Sequence, residues 1–203
     1  MQGVHRQLQS KKLRTFSVNQ KGGLEHTDLN EIMRKVQSAL PLLLRSNGDI
    51  AVNITLSRKV LKILADSDLM VGALLSLIGS ALHTLPDGGA LSLSTTQVDF
   101  TYQSIIDGST CRYGACASVA IVGTGGGVEA WWTRDNVLQT MLAGKTGNGK
   151  DVELSTAYRI IDQHHGSIRR ERVAGHGTAI TVYLPLASLN DAAQNALSAP
   201  EIA

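Results

Sequence analysis

Two glycine-rich runs contain the residues whose types and spacing could bind a phosphate group. Residues 122–128 read Val-Gly-Thr-Gly-Gly-Gly-Val, and residues 144–151 read Gly-Lys-Thr-Gly-Asn-Gly-Lys-Asp. The first run lacks the third glycine spacing of a dinucleotide fingerprint, and no helix clearly begins there. The second ends in Asp151, where a P-loop needs Ser or Thr to bind magnesium, and no strand precedes it. We therefore interpret both runs as glycine loops outside these two motifs.

The histidines and cysteines do not form a recognisable metal site. His164 and His165 are adjacent, and adjacent residues on a helix point about 100° apart, while no cysteine or acid completes a ligand set beside them. Cys111 and Cys116 lie five residues apart without a second pair, which fits neither a disulfide framework nor a four-ligand zinc site. We interpret the histidines as a pair at a helix end and the cysteines as reduced thiols.

The composition predicts one globular domain in the cytoplasm. The chain has 203 residues, of which 43% are hydrophobic and 18% charged, enough for a real core. A net charge of +2 is too small for a nucleic-acid partner, which requires a clustered basic face. Residues 1–7 lack the apolar stretch of a secretory signal, and no hydrophobic anchor follows. We expect a cytoplasmic chain that has no nucleic-acid partner and no membrane segment of its own.

The elements that would position a site include an apolar segment at residues 66–89. Its central part, residues 69–85, contains no Asp, Glu, Lys or Arg, so a membrane span has to be considered. A span needs about 20 strongly apolar residues, whereas glycines, serines and a histidine interrupt this stretch and a Pro-Asp-Gly-Gly turn ends it. The segment is better explained as a helix that is buried on most sides.

Hydrophobic periodicity predicts two further helices and five strands in the globular part. One helix has Asp28 as its N-cap and runs through Leu43, with a kink or early fraying at Pro41. The other covers residues 154–164, and the predicted strands cover residues 49–57, 91–95, 116–122, 167–173 and 179–185. Together they predict three helices packed on one face of a mixed sheet, with the last two strands forming a hairpin around residues 175–177.

The two ends of the chain are predicted to lie outside this domain. Residues 4–20 place four large apolar side chains among basic ones, a pattern typical of an amphipathic helix, and Lys21-Gly22-Gly23 break it. From Ala187 onward large apolar residues are few, which favours a loose tail. A single N-terminal helix therefore precedes the globular part, and a tail follows it.

Five motifs in order resemble the ATP-binding domain of two-component sensor histidine kinases, within the wider GHKL ATPase group. They are the apolar helix ending in Leu85-Pro86-Asp87-Gly88-Gly89, residues 122–128, Leu154-Ser155-Thr156-Ala157-Tyr158, Gly175-His176-Gly177-Thr178 and Val182-Tyr183-Leu184-Pro185. The resemblance covers residues 24–186 and implies an α/β two-layer sandwich of the Bergerat type. It also implies that residues 1–23 are the end of a dimerisation helix with its linker, and that residues 187–203 are a C-terminal tail.

The resemblance assigns nucleotide-binding positions to this chain, and several of them carry other residue types. Ser80 stands where the family has the Asn that binds magnesium, and Ser76 lies one helical turn earlier, where the family usually has Asn or Glu. Gly123 replaces the carboxylate that accepts a hydrogen bond from the adenine amino group, a bond worth about 1.5–3 kcal/mol. These losses imply weak recognition of ATP and magnesium.

At the remaining nucleotide-binding positions, some residues are of the type that the family has and others are not. Four of them keep the residue type of the family: Gly125, Gly127, Lys145 and Thr178. Two lid glycines, whose backbone amides would hold phosphate oxygens, are replaced by Asp151 and Glu153. The two carboxylates would repel a triphosphate.

These substitutions lead to three functional hypotheses. The first is a degenerate histidine-kinase domain that binds ATP weakly or not at all and needs no cofactor. Such a domain would act in a two-component pathway through contacts with a response regulator or another kinase, and it would form a homodimer through its N-terminal helix. The second is an active kinase domain that binds ATP and Mg²⁺ and phosphorylates a histidine on a helix domain absent from this chain, since none of its 6 histidines has the setting of a phosphoacceptor. The third is an interaction module whose cleft is filled by side chains such as Leu138 and Met141.

Overall fold

The computed structural model of the chain describes residues 23–45, 49–83, 85, 89–100, 114–124, 149–173 and 177–187, with only the backbone described for residues 149–153, 172–173 and 177–178. Within these ranges lie three α-helices, α1 (Leu29–Leu44), α2 (Ser67–Leu82) and α3 (Gly149–Gln163). Seven strands accompany them there: β1 (Glu25–Asp28), β2 (Ala51–Thr55), β3 (Lys62–Ala65), β4 (Ala90–Phe100), β5 (Gly114–Thr124), β6 (Ser167–Val173) and β7 (Gly177–Pro185).

The strands form a mixed sheet of five strands and a smaller sheet of two. The larger sheet has the order β2-β4-β5-β7-β6, in which β2 and β4 run parallel and the other neighbours antiparallel. β1 and β3 pair antiparallel, and Leu186, which follows β7, forms a bridge with Ile63 of β3. The backbone amide of Ala187 also donates to the carbonyl of Lys62 at 2.8 Å. The end of β7 therefore ties the small sheet to the large one.

The helices and one face of the large sheet enclose a common apolar core. Alternate strand residues point into it, as the period of two requires; those buried there are Leu91, Leu93, Val119, Ile121, Ile180, Val182 and Leu184. α2 contributes five large, fully buried side chains: Met70, Leu74, Leu77, Ile78 and Leu82. Burying a side chain of this size contributes about 1.5–3 kcal/mol relative to exposing it. The predicted α/β two-layer sandwich, with three helices and a mixed five-stranded sheet, is confirmed.

α2 is shorter than the predicted segment 66–89. Asp66 is its N-cap, since the carboxylate accepts from two backbone amides of the first turn at 3.0 and 3.1 Å. The helix ends at Leu82 with His83 as the C-cap, and Leu85 lies beyond it. The predicted segment extended too far because it included Leu85 and the Pro-Asp-Gly-Gly sequence, which follow the last helical turn. No helix in the described part of the chain is long and apolar enough to cross a membrane.

α1 begins as predicted and ends later. The Asp28 carboxylate accepts from the backbone amide of Asn30 at 3.0 Å, which confirms the predicted N-cap. The helix continues past Pro41 to Leu44, so the prediction of early fraying at Pro41 is wrong. Pro41 is exposed and about one turn follows it, in which Leu43 and Leu44 still pack against the core. This packing offsets the hydrogen bond that proline cannot make.

The sequence analysis predicts neither β1 nor β3. Each strand has only 4 residues, which is too short for an alternating pattern to be recognised. They are identified only by their pairing, in which Glu25 lies opposite Ala65 and Asp28 opposite Lys62. The small sheet therefore depends on pairing between segments that are distant in sequence, and the local sequence does not predict it.

β4 and β5 are longer than the predicted strands. Each has 11 residues. The additional part of β4 carries Val98 and Phe100, which pack with Cys116 and Tyr183 in a small cluster on the face away from the helices. The rings of Phe100 and Tyr183 meet edge to face with centroids 5.1 Å apart. This second cluster explains why the two strands continue beyond the main core.

α3 and the final strands complete the comparison with prediction. α3 starts at Gly149 instead of residue 154, so Asp151 and Glu153 lie in its first turns. β6 covers the predicted range, and β7 begins two residues earlier than predicted. The two strands pair antiparallel from Ser167–Tyr183 to Val173–Gly177, which confirms the predicted hairpin pairing.

Some predictions fall outside the described residues. They are the amphipathic helix over residues 4–20, the dimerisation helix and linker over residues 1–23 except residue 23, and the tail over residues 187–203 except residue 187. Among the proposed site and cleft residues, those outside the described ranges are Gly125, Gly127, Leu138, Met141 and Lys145.

α3 ends in a Schellman motif with histidine at the left-handed position. His165 has a φ of 55°, and its amide donates to the carbonyl of Asp162 at 2.9 Å. The amide of Gly166 donates to the carbonyl of Ile161 at 2.9 Å, which completes the two hydrogen bonds of the motif. The chain thus turns from α3 into β6 within residues 164–166.

Candidate functional site

Ser76 and Ser80 lie on one face of α2. They are four residues apart, the spacing that places two side chains one turn apart on the same face of a helix, and both are partly exposed. A β-carbon built on Gly79, on the same side, would meet no described atom within 4 Å. The opposite face of the helix carries the buried Leu74 and Ile78. Among the described residues, the serine face of α2 therefore borders open space.

Gly123 lies near the end of β5, inside the large sheet. It pairs with Leu91 of β4 on one side and with Thr178 of β7 on the other. Directly opposed residues on neighbouring antiparallel strands have their Cα atoms about 4.5–5.5 Å apart. The structure therefore brings together two positions that the resemblance assigns to the nucleotide, Gly123 and Thr178.

The side chain of Leu85 covers Gly123. A β-carbon built on Gly123 would lie 2.8 Å from Cδ2 of Leu85 and 3.6 Å from its Cγ, and the first distance is shorter than real β-carbon contacts. Leu85 is partly buried and packs against the core, and its amide donates to the carbonyl of Leu82 at 3.2 Å. Any side chain at position 123, a carboxylate included, would require Leu85 to move.

Thr124, which follows Gly123 at the end of β5, forms side-chain hydrogen bonds to the start of β4. Its hydroxyl accepts from the backbone amide of Ala90 at 2.9 Å and donates to the carbonyl of Ala90 at 3.2 Å. The neighbouring carbonyl of Gly89 accepts from the amide of Ala51 at 3.1 Å. The chain that enters β4 is thus held to both β2 and β5, beside the contact between Leu85 and Gly123.

Asp151 and Glu153 belong to a helix rather than to an open loop. Both lie near the start of α3, where the positive end of the helix dipole favours acidic side chains. A glycine loop at this point would offer backbone amides to phosphate oxygens. Because the backbone of residues 151–153 is helical, acidic residues suit these positions, at which the family has the glycines of the lid.

Comparison with curated proteins finds sensor histidine kinases. No protein-family model matches the chain. The chain is 33% identical over 123 residues to the sensory histidine kinase/phosphatase NtrB of Klebsiella oxytoca, a match that covers 60% of this chain and 33% of NtrB. The sensor histidine kinase ZraS of Klebsiella oxytoca is 24% identical over 164 residues, which cover 80% of this chain and 31% of ZraS. The chain spans about a third of the length of these curated relatives.

Solved structures of histidine kinases share the fold. The catalytic domain of the histidine kinase ThkA gives a TM-score of 0.59 at 17% identity, over 81% of this chain and 97% of that one. The chain therefore has the GHKL ATPase-like fold of histidine-kinase catalytic domains, and its sequence is similar to sensor histidine kinases. The mycobacterial sensor histidine kinase MprB matches this ATPase-like domain with a TM-score of 0.59 at 20% identity, over 80% of this chain and 97% of that one.

Sequence reasoning missed one residue of the site in this ATPase-like domain. Leu85 enters the sequence analysis only as part of a family motif, whereas the structure places its side chain against Gly123. No signal in the sequence marks this contact, because neither residue 85 nor residue 123 shows by its type that the two are neighbours. The two positions are far apart in sequence, so their contact becomes visible only in the fold.

His164 joins the end of α3 to the start of α2 in the ATPase-like domain. Its ring is buried, with Nε2 at 3.0 Å from the amide nitrogen of Asp66 and Nδ1 at 2.6 Å from the carbonyl oxygen of Ile160. Because an amide donates and a carbonyl accepts, Nε2 accepts and Nδ1 carries the proton. His165 beside it is exposed. The predicted histidine pair at a helix end is confirmed. Both ring nitrogens of His164 form hydrogen bonds with backbone groups.

Proposed function

We propose that this chain is a degenerate ATPase-like domain of a two-component pathway, which binds ATP and Mg²⁺ weakly or not at all and acts through contacts with other proteins. The observation that carries the proposal is the contact of Leu85 with Gly123. In the family that the chain resembles, a carboxylate at position 123 accepts a hydrogen bond from adenine. Here that carboxylate is absent and an apolar side chain occupies the space beside the glycine.

The energetic consequence for adenine is large. The lost acceptor is worth about 1.5–3 kcal/mol, and each 1.4 kcal/mol changes a dissociation constant by about tenfold. An adenine amino group placed against Leu85 would also lose a hydrogen bond to water without replacing it, which costs about 1–3 kcal/mol. The two terms act in the same direction and oppose binding.

The metal position supports the same proposal. Mg²⁺ requires oxygen ligands at about 2.0–2.1 Å in a near-octahedral arrangement. The oxygen of Ser80 is one bond closer to the main chain than the amide oxygen of the asparagine that the family has there. Ser76 adds only a second hydroxyl on the same helix face. The two serines therefore supply a poorer metal site than the family residues.

Protein contacts are the proposed activity of this domain. A response regulator or another kinase of the pathway is the proposed partner, because the curated relatives are named as sensor histidine kinases. A homodimer through the N-terminal helix is proposed from the sequence of residues 4–20. Both partner classes rest on the likeness to longer proteins.

The melting temperature in the presence of nucleotide tests this proposal. A ligand that binds only the folded state stabilises it by about 2.7 kcal/mol at a concentration 100 times its dissociation constant. Millimolar ATP with Mg²⁺ is expected to leave the melting temperature of this chain unchanged. A rise of several degrees would favour the alternative function, an active kinase domain that binds ATP and Mg²⁺ and phosphorylates a histidine on a separate helix domain.

A further inference from the structure

The loop between β2 and β3, residues 56–61, is held at the surface by two buried polar side chains. Asn30 is 3% exposed, and its Nδ2 donates to the carbonyls of Ser57 at 3.3 Å and Lys59 at 2.9 Å. Thr95 is 5% exposed, and its hydroxyl accepts from the amide of Ser57 at 2.8 Å and donates to Oδ1 of Asn30 at 2.7 Å. One connected network thus links α1, the sheet and the loop.

Further hydrogen bonds fix the rest of the loop. The Asp28 carboxylate that caps α1 also accepts from the amide of Leu61 at 3.0 Å, and the carbonyl of Leu61 accepts from the amide of Leu29 at 3.0 Å. The hydroxyl of Ser57 accepts from the amide of Lys59 at 3.1 Å. A loop that is already ordered loses little conformational entropy when a partner binds it.

The fixed loop presents cations around an exposed apolar side chain. Val60 is 72% exposed, and Arg58 and Lys59 beside it are exposed. Lys62 is exposed on β3, and Arg34 is exposed one turn after Asn30 on α1, which places it on the side of the helix that faces the loop. None of these four cations forms an ion pair with a carboxylate in the described ranges.

We propose that this loop is a docking surface for an acidic protein segment that also carries an apolar side chain to cover Val60. Cations without ion-pair partners attract carboxylates and speed their association, and an apolar residue among them favours a protein contact over a purely ionic one. Duplex nucleic acid fits less well, because the patch is small and the net charge of the whole chain is only +2. The proposal makes no use of the nucleotide cleft and stands independently of it.

A fluorescein-labelled peptide of glutamates around a central leucine tests the docking surface. We expect the full chain to bind it at low salt, as measured by fluorescence anisotropy, and to lose affinity when salt is added. Arg58→Glu/Lys59→Glu is expected to weaken binding by about tenfold or more, and Val60→Ser by about threefold. Arg45→Glu/Arg159→Glu, which changes the net charge equally at two exposed sites, one at the C-cap of α1 and one on α3, is expected to bind like the unchanged chain.

Several outcomes would overturn the proposal. They are failure of the unchanged chain to bind the peptide, equal affinity of the loop variant and the unchanged chain, and equal losses in the loop variant and the control variant. Tighter binding of a DNA duplex or of phosphatidylserine vesicles than of the peptide would also overturn it, since the patch would then serve a different partner. Circular dichroism of each variant confirms that the measured change does not come from unfolding.

Discussion

Removing the Leu85 side chain and restoring the family residues, in the variant Leu85→Ala/Gly123→Asp/Ser80→Asn, is expected to produce measurable affinity for ATP and Mg²⁺. Leu85→Ala removes the atom that lies 2.8 Å from the β-carbon position of residue 123. Gly123→Asp then supplies an acceptor for adenine worth about 1.5–3 kcal/mol. We expect binding at least about tenfold tighter than in any single variant, measured by titration calorimetry.

The single variants separate the steric obstruction from the missing acceptor. Gly123→Asp alone is expected to lower the free energy of unfolding only slightly, because the atom that the new side chain meets is a methyl carbon at the flexible end of Leu85, which can rotate away. Leu85→Ala alone opens the space without supplying an acceptor, and it costs about 2 kcal/mol of stability. Combining the two should give a protein more stable than the sum of the single effects predicts, by about 0.5 kcal/mol. Should Gly123→Asp alone bind ATP as tightly as the triple variant, Leu85 would not be the obstruction.

Gly166→Ala is expected to lower the free energy of unfolding by about 3 kcal/mol. A β-carbon at this position would lie 2.7 Å from the backbone carbonyl oxygen of Tyr183, 2.8 Å from a methyl carbon of Leu184 and 2.9 Å from a methyl carbon of Ile161. A backbone oxygen in the middle of a sheet cannot rotate away as a side chain can. Urea unfolding should show a lower midpoint with an unchanged slope.

Gly79→Ala is the matched control for Gly166→Ala. It adds the same methyl group at a position where no described atom lies within 4 Å of the new carbon. Because alanine is favoured over glycine inside a helix, we expect it to raise the free energy of unfolding by about 0.5–1 kcal/mol. Similar destabilisation by both changes would show that the close packing around Gly166 is not what makes its substitution costly.

The large elements of the fold could be predicted because their patterns are local. The alternation of exposed and half-buried side chains along β2 and the N-cap at Asp28 each depend on a few consecutive residues, and the structure confirms both. The end of α2 was misplaced because the predicted segment included Leu85, an apolar residue that lies three positions after the end of the helix at Leu82. Hydrophobicity alone does not distinguish a buried helical turn from a buried residue that follows it.

The candidate site could be predicted only in part, because sequence patterns report local structure and not contacts between distant residues. The absence of a side chain at Gly123 is readable from the sequence, but the side chain that covers it, Leu85, reaches it through the fold. The buried network of Asn30 and Thr95 likewise joins residues that are distant in the chain. Tertiary contacts of this kind carry no periodic signal, so a sequence pattern does not reveal them.

Titration calorimetry of the unchanged chain with ATP and Mg²⁺ is the most direct measurement of the central claim, that the cleft beside Gly123 no longer holds a nucleotide. The account predicts a dissociation constant weaker than about 1 mM for the unchanged chain, and tighter binding by the Leu85→Ala/Gly123→Asp/Ser80→Asn variant titrated beside it. A micromolar dissociation constant for the unchanged chain would contradict the account.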